Sequence, residues 1–145
     1  APYTMFIGSG ALWGETILFS MCILEEMQWK RTRYITSADF FHGTLELVEP
    51  GVPVFLFMGE DENRKLDERV RAFLTRGVTG DTDINIIDTA EFAIPGLDDE
   101  FRVIVSPWIL SSLITDRLAA YYETVTFKKH PARAHASGHF YAEIR

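Results

Sequence analysis

Apolar residues along this chain fall into two kinds of block, and the two kinds alternate. Tyr3 to Ile7 is short and apolar and is closed by Gly8 and Gly10, the pattern of a buried strand. From Ala11 to about Trp29 apolar residues occur nearly all round the helical wheel (Leu12, Trp13, Ile17, Leu18, Phe19, Met21, Cys22, Ile23, Leu24, Met27), which predicts a helix covered on most sides. A short helix is predicted over 38–48, with Ser37 as its N-cap. Val54 to Met58 is a continuous apolar run of the kind found in strands buried on both faces of a parallel sheet. Over 60–76, Leu66, Val70, Phe73 and Leu74 recur at i, i+4, i+7 and i+8 among charged residues, which predicts an amphipathic helix that Gly77 stops. Asp83 to Asp88 and Phe101 to Val105 read as further strands, and Ser106-Pro107 as the start of a last helix reaching about Glu123.

Strands alternating with helices of 10 to 20 residues predict an α/β fold: a three-layer sandwich around a parallel, flavodoxin-like open sheet. Such sheets bind ligands at the carboxyl ends of their strands, where Gly8, Ser9 and Gly10 are expected to lie.

At 145 residues the chain has the size of one domain, and 47% hydrophobic against 24% charged residues rules against disorder. Its net charge of -7 argues against a nucleic-acid or anionic-membrane partner, although Arg31 and Arg33 could still meet a single phosphate. Cys22 is the only cysteine, so no internal disulfide forms and a reducing, cytoplasmic compartment is expected. Glu15, Glu25 and Glu26 interrupt the most apolar stretch, and no run is long enough to span a bilayer. The chain opens almost directly on a strand, as the latter part of a longer protein would.

Gly8-Ser9-Gly10 follows a strand and opens a helix, so its backbone N–H groups could meet an anion or sugar hydroxyls; any α/β domain also needs glycine in such a turn. It lacks the Gly-Lys-Ser/Thr of a Walker loop and the third glycine of a dinucleotide fingerprint. Glu26 lies eleven residues after Glu15, three α-helical turns, which would put both on one face, with Glu25 about 100° away. A carboxylate on a nearly all-apolar helix is expected to be partly desolvated, which raises its pKa and suits it to proton transfer. By pattern alone an exposed glutamate at a helix end is the commoner case. His42, beside Phe40 and Phe41, is by pattern alone a packing residue. His130, His135 and His139 are separated by Pro131 and Gly138 and complete no ligand set, so no metal site is expected. Ser106, Ser111 and Ser112 form no nucleophile elbow.

Taken together, Gly8-Ser9-Gly10, Leu12-Trp13-Gly14, Glu26-Met27-Gln28-Trp29 and, sixteen residues after Glu26, His42-Gly43 resemble the second SIS (sugar isomerase) domain of the phosphosugar isomerases, above all the fructosamine 6-phosphate deglycase branch. The resemblance implies an enzyme that acts on an aminated ketose 6-phosphate without a metal or organic cofactor. It implies Glu26 and His42 as the catalytic pair, His42 being contributed in some relatives by the neighbouring subunit. Gly8, Ser9, Gly10 and Trp13 would contact the substrate. It further implies a SIS domain over 1–127, a tail over 128–145 that folds across the active-site cleft, and a homo-oligomer. The Ser-x-Ser-Gly-x-Thr loop that holds the sugar phosphate has no match here, so an N-terminal SIS half would supply it. Thr44 stands where the glucosamine 6-phosphate synthase branch has Pro after His-Gly, and the nearest lysines to a tail lysine are Lys128 and Lys129, which favours the deglycase. The alternatives are a synthase-type isomerase or a non-catalytic SIS module that senses sugar phosphates.

Overall fold

A computed structural model describes residues 1–77 and 79–117. The expectations for the tail at 128–145 and for His130, His135 and His139 fall outside these residues, as does the far end of the predicted last helix. Four parallel strands, β1 (Thr4–Ile7), β2 (Thr32–Ile35), β3 (Val54–Met58) and β4 (Ile84–Asp88), form one sheet in the order β2-β1-β3-β4. The register pairs Thr4 with Thr32, Met5 with Val54, and Val54 with Ile84, so the amino ends of the strands are level.

On one face lie α1 (Trp13–Ile17), which runs on into a ten-residue π-helical stretch (Leu18–Met27), and α4 (Asp99–Ser111). They enclose Phe6, Leu12, Phe19, Leu24, Phe57, Leu110 and Ile114, with the Phe6 ring stacked on Phe55 at 5.2 Å and edge-on to Phe19 at 5.6 Å. On the other face α2 (Ser37–Phe40), the 3-10 turn Thr44–Leu47 and α3 (Arg64–Leu74) pack Phe40, Val70 and Leu74 onto Met5, Ile7, Val54, Leu56 and Met58. This is the expected three-layer arrangement, and β3 is buried along nearly its whole length, as its unbroken apolar run requires.

Two elements differ from the sequence reading. Phe101 to Val105 is not a strand but the first half of α4, where Asp99 and Glu100 complement the helix N-terminus. Pro107 therefore lies inside the helix rather than at its start, and deprives the Val103 carbonyl of a backbone donor. The Ser106 hydroxyl replaces it, donating to Val103 O at 3.0 Å. The remaining strand is β2, whose Thr-Arg-Tyr-Ile sequence has no apolar run because it is the sheet's edge and leaves Arg33 exposed. A smaller difference concerns α2, which Thr36 rather than Ser37 caps: the Thr36 hydroxyl oxygen accepts the Asp39 amide at 3.1 Å.

The π-helical turns have a local cause. Thr16 and Ser20, both fully buried, donate their hydroxyls back to the carbonyls of Leu12 and Thr16, competing with the i→i-4 ladder. Gly8 makes room for this, since a Cβ there would collide with the Thr16 hydroxyl. An i→i+5 turn advances less per residue than an α turn, so Glu15 and Glu26 do not share the face that α geometry would give them. Glu15 instead faces α4, with one of its oxygens buried without a partner among the described residues; burial pushes its carboxyl up, Ser111 opposes the rise and Asp116 adds to it.

Candidate functional site

At the carboxyl edge the turn after β1 is occupied by the chain's own groups. Asp61, in the loop after β3, accepts the Ala11 amide at 2.6 Å and the Asn63 amide at 2.7 Å. Gly10 is required here twice over: its φ is +54°, and a Cβ would collide with the Asp61 carboxylate. The Ser9 hydroxyl oxygen accepts the Ser37 amide at 2.8 Å, while the Ser37 hydroxyl donates to Asp67 at 2.5 Å, and Asp67 also accepts the Gly59 amide at 3.2 Å. These bonds tie the ends of β1, β2 and β3 together around a carboxylate that is 1% exposed and whose pKa burial pushes up. Asp67 stands at i-3 from Val70 and i-7 from Leu74, so the helical period that marks the apolar stripe also places this carboxylate on its buried side. Trp13, near this edge, leans on Tyr34 at 6.1 Å.

Glu26 lies at the other end of the molecule. The π-helical stretch runs back across the sheet face, so its last turn arrives at the amino ends of the strands, where the Glu25 carboxylate accepts the Thr32 hydroxyl at 2.5 Å and the Thr32 amide at 3.3 Å. The helix closes there on Trp29, a non-glycine residue at φ 53°, with Trp29 N donating to Glu25 O at 3.0 Å and Lys30 N to Leu24 O at 2.8 Å. His42 follows α2 on the opposite face of the sheet, is exposed, and precedes Gly43 at φ 136°. Neither side chain bonds the other, and the edge strand β2 stands between their two layers.

Between these two elements a cleft of about 800 Å³ opens at the amino edge, lined by Pro2, Tyr3, Glu25, Trp29, Lys30, Arg31, Thr32, Arg33 and Leu47. One bank is the helix end on either side of Glu26. The other is the 3-10 turn that begins just after His42-Gly43: Thr44 accepts from Arg33 at 2.9 Å, and the Tyr3 hydroxyl donates to Leu47 O at 3.1 Å. The expected site residues thus divide into two groups. Neither Glu26 nor His42 lines the amino-edge cleft, which Glu25 and Trp29 reach from the helix end and Leu47 from the turn after His42, whereas Gly8, Ser9, Gly10 and Trp13 belong to the carboxyl edge and do not line it either.

Over 112 residues, 77% of its length, the chain is 32% identical to the fructosamine deglycase FrlB of Bacillus subtilis, of which it covers 33%. A solved Bacillus subtilis structure described as a phosphosugar isomerase superimposes on 95% of the chain with a TM-score of 0.74 and 28% identity, the chain covering 39% of it. The chain belongs to the SIS phosphosugar isomerase family. Over 70 residues it is also 39% identical to the fructoselysine 6-phosphate deglycase of Escherichia coli strain K12, covering 48% of this chain and 20% of that protein. The SIS chain therefore spans about a third or less of the length of these curated relatives. No protein-family model matches it. Among the described residues no helix is long and apolar enough to cross a membrane.

Proposed function

We propose that this SIS chain carries the proton-transfer residues of a cytoplasmic deglycase acting on a fructosamine 6-phosphate. Glu26 removes a proton from C1 of the open-chain substrate as the C2 carbonyl becomes an enaminol, and returns it to C2. The double bond then lies between C1 and nitrogen as an imine. Water adds to C1, the C–N bond breaks, and glucose 6-phosphate and the amine leave. His42 assists ring opening or protonates the ring or leaving oxygen. No metal or organic cofactor enters this sequence of steps.

The observation that carries the reading is the pair Glu26 and His42 at the sixteen-residue spacing of the deglycase resemblance, in a chain 32% identical over 112 residues to a fructosamine deglycase. Because Glu26 and His42 stand on opposite sides of β2 without a mutual contact, the productive pair is read as one residue from each of two copies of the chain. The carboxyl-edge turn, through Gly8, Ser9, Gly10 and Trp13, is read as the contact for substrate hydroxyls supplied by a different copy of the chain from the one that supplies Glu26, open only once Asp61 has released the Ala11 amide. The cradle for the phosphate dianion is assigned to a separate N-terminal SIS half. Exchanging Glu26→Gln in the protein that carries this chain keeps the shape and removes the basicity. Turnover of a fructosamine 6-phosphate is then expected to fall by about 10² to 10⁴ with little change in KM, while Glu15→Gln leaves it within about threefold. A Glu26→Gln protein with a tenth or more of normal turnover removes the assignment.

A further inference from the structure

The outward face of α4 is apolar and its inward face partly polar, the reverse of an ordinary surface helix. Phe101, Ile104 and Trp108, at i, i+3 and i+7, are 47%, 70% and 73% exposed, while Ser106 and Leu110 are fully buried. The helix cannot roll to cover this stripe. Arg102 donates through Nε to Glu60 at 2.5 Å and through Nη2 to the Thr89 and Phe92 carbonyls at 3.0 and 3.1 Å, and Leu110 is packed into the core with Ile114 of the π-helical turn that follows. Beside Trp108 lies a groove of about 360 Å³ lined by Phe92, Ile94, Val105, Ile109, Ser112 and Leu113. One surface therefore offers both a protruding indole and an apolar hollow with room for one. Leu18 and Met21, also exposed, belong to the helix that packs beside α4 on the same face of the sheet.

A partner for this face has to bring a hollow to the ring and a ring to the hollow, and an isologous contact, in which one patch meets its own copy, does both. Aromatic side chains bury about 150–250 Å² each, so Phe92, Phe101 and Trp108 at their exposures leave, with Ile104, on the order of 500 Å² uncovered, as much as the largest patches of ordinary monomers. Leu18 and Met21 bring this toward the roughly 800 Å² that each partner gives to a standard interface. We propose that the α4 face is where two copies of this chain associate, α4 against α4 in antiparallel sense about a two-fold axis near Trp108. Each indole then fills the groove of the other copy, and the two helix dipoles oppose. The stripe contains neither Glu26 nor His42, and the interface does not rest on the function proposed above.

The test is sedimentation velocity of the full chain over a micromolar dilution series, each variant first being shown by far-UV circular dichroism to be folded. Ile104→Ser combined with Trp108→Ala should raise the dissociation constant of the self-association by about tenfold or more. Lys65→Glu, an exposed position on the opposite face, should leave it within about threefold. Ser112→Arg, exposed at the groove, is the second variant should the first not fold, and should weaken association in the same direction. In the parent, Trp108 emission, taken as the difference from Trp108→Phe, should move to shorter wavelength as the chain associates. A folded parent that stays monomeric overturns the proposal, and iodide quenching of Trp108 then tells a face open to another protein from one covered by residues 118–145 of the same chain. An associated parent whose dissociation constant is unchanged by the stripe variant and by Ser112→Arg overturns it equally.

Discussion

The hydroxyl of Ser37 at the start of α2 donates to the carboxylate of Asp67 in the middle of α3 at 2.5 Å, and both residues are 1% exposed. Through the Gly59 amide and Ser9 this contact joins three strand ends on one buried charge. Asp67→Ala leaves the Gly59 N–H and the Ser37 hydroxyl unpaired in the interior, and unfolding free energy is expected to fall by about 1–3 kcal/mol. Burial raises the Asp67 pKa, so the group favours folding most below the usual 3.8 and loses that contribution as pH rises through its folded value. The penalty for Asp67→Ala, measured by denaturant unfolding at several pH values, should therefore be greatest in acid and shrink toward neutrality.

The Arg64–Asp88 pair has the opposite sign. Arg64 donates to both Asp88 oxygens, at 2.9 and 2.7 Å, and this contact holds the Asp88 carboxyl below 3.8. A depressed carboxylate contributes stability above its unfolded pKa and loses it as pH falls through the folded value. Asp88→Asn should cost about 1–3 kcal/mol at pH 7, with the difference from the parent protein closing below pH 3.8 in the same unfolding series. A gap that stays constant with pH contradicts the assignment.

Gly10 and Asp61 should behave as one unit. Gly10→Ala places a side chain at φ +54°, which costs about 1–2 kcal/mol, and also displaces Asp61 from the Ala11 amide. The two penalties separate in a double-mutant cycle: in an Asp61→Ala background the cost of Gly10→Ala is expected to drop to the backbone part alone. Strict additivity in thermal unfolding would show that the carboxylate does not hold this turn.

Self-association is expected at micromolar concentration, because Leu18 and Met21 on the helix that carries Glu26 remain 37% and 41% exposed and because Glu26 and His42 do not meet within one chain. Sedimentation equilibrium should report a dimer or larger species, and Leu18→Glu combined with Met21→Glu should shift it toward monomer. A folded monomer of the parent chain contradicts the shared pair.

Much of the fold could be read from periodicity because its central strands and main helices bury contiguous apolar surface: Val54 to Met58 and the Leu66–Leu74 stripe both appear where expected. The misreadings have two physical origins. β2 is an edge strand that needs little apolar sequence, and Val103-Ile104-Val105 has the β-branched composition of a strand but lies in a helix whose packed positions are Ser106 and Leu110. The proposed site rests on a motif. Spacing in sequence could pair Glu26 with His42, but the return of the helix to the amino edge, and hence the distance of Glu26 from the Gly8–Gly10 turn, depends on how the elements pack. Nor could spacing reveal the π-helical turns that Thr16 and Ser20 induce, which change the face on which position 26 emerges.

Proton movement between C1 and C2 by Glu26 can be followed as exchange of the substrate C1 proton with deuterated solvent in the protein that carries this chain. The parent protein should wash deuterium into C1, Glu26→Gln should abolish that exchange, and His42→Asn should slow turnover while leaving exchange measurable. Exchange that persists in Glu26→Gln at or near the parent rate would contradict the account and leave Glu26 a residue of the helix end with no part in the chemistry.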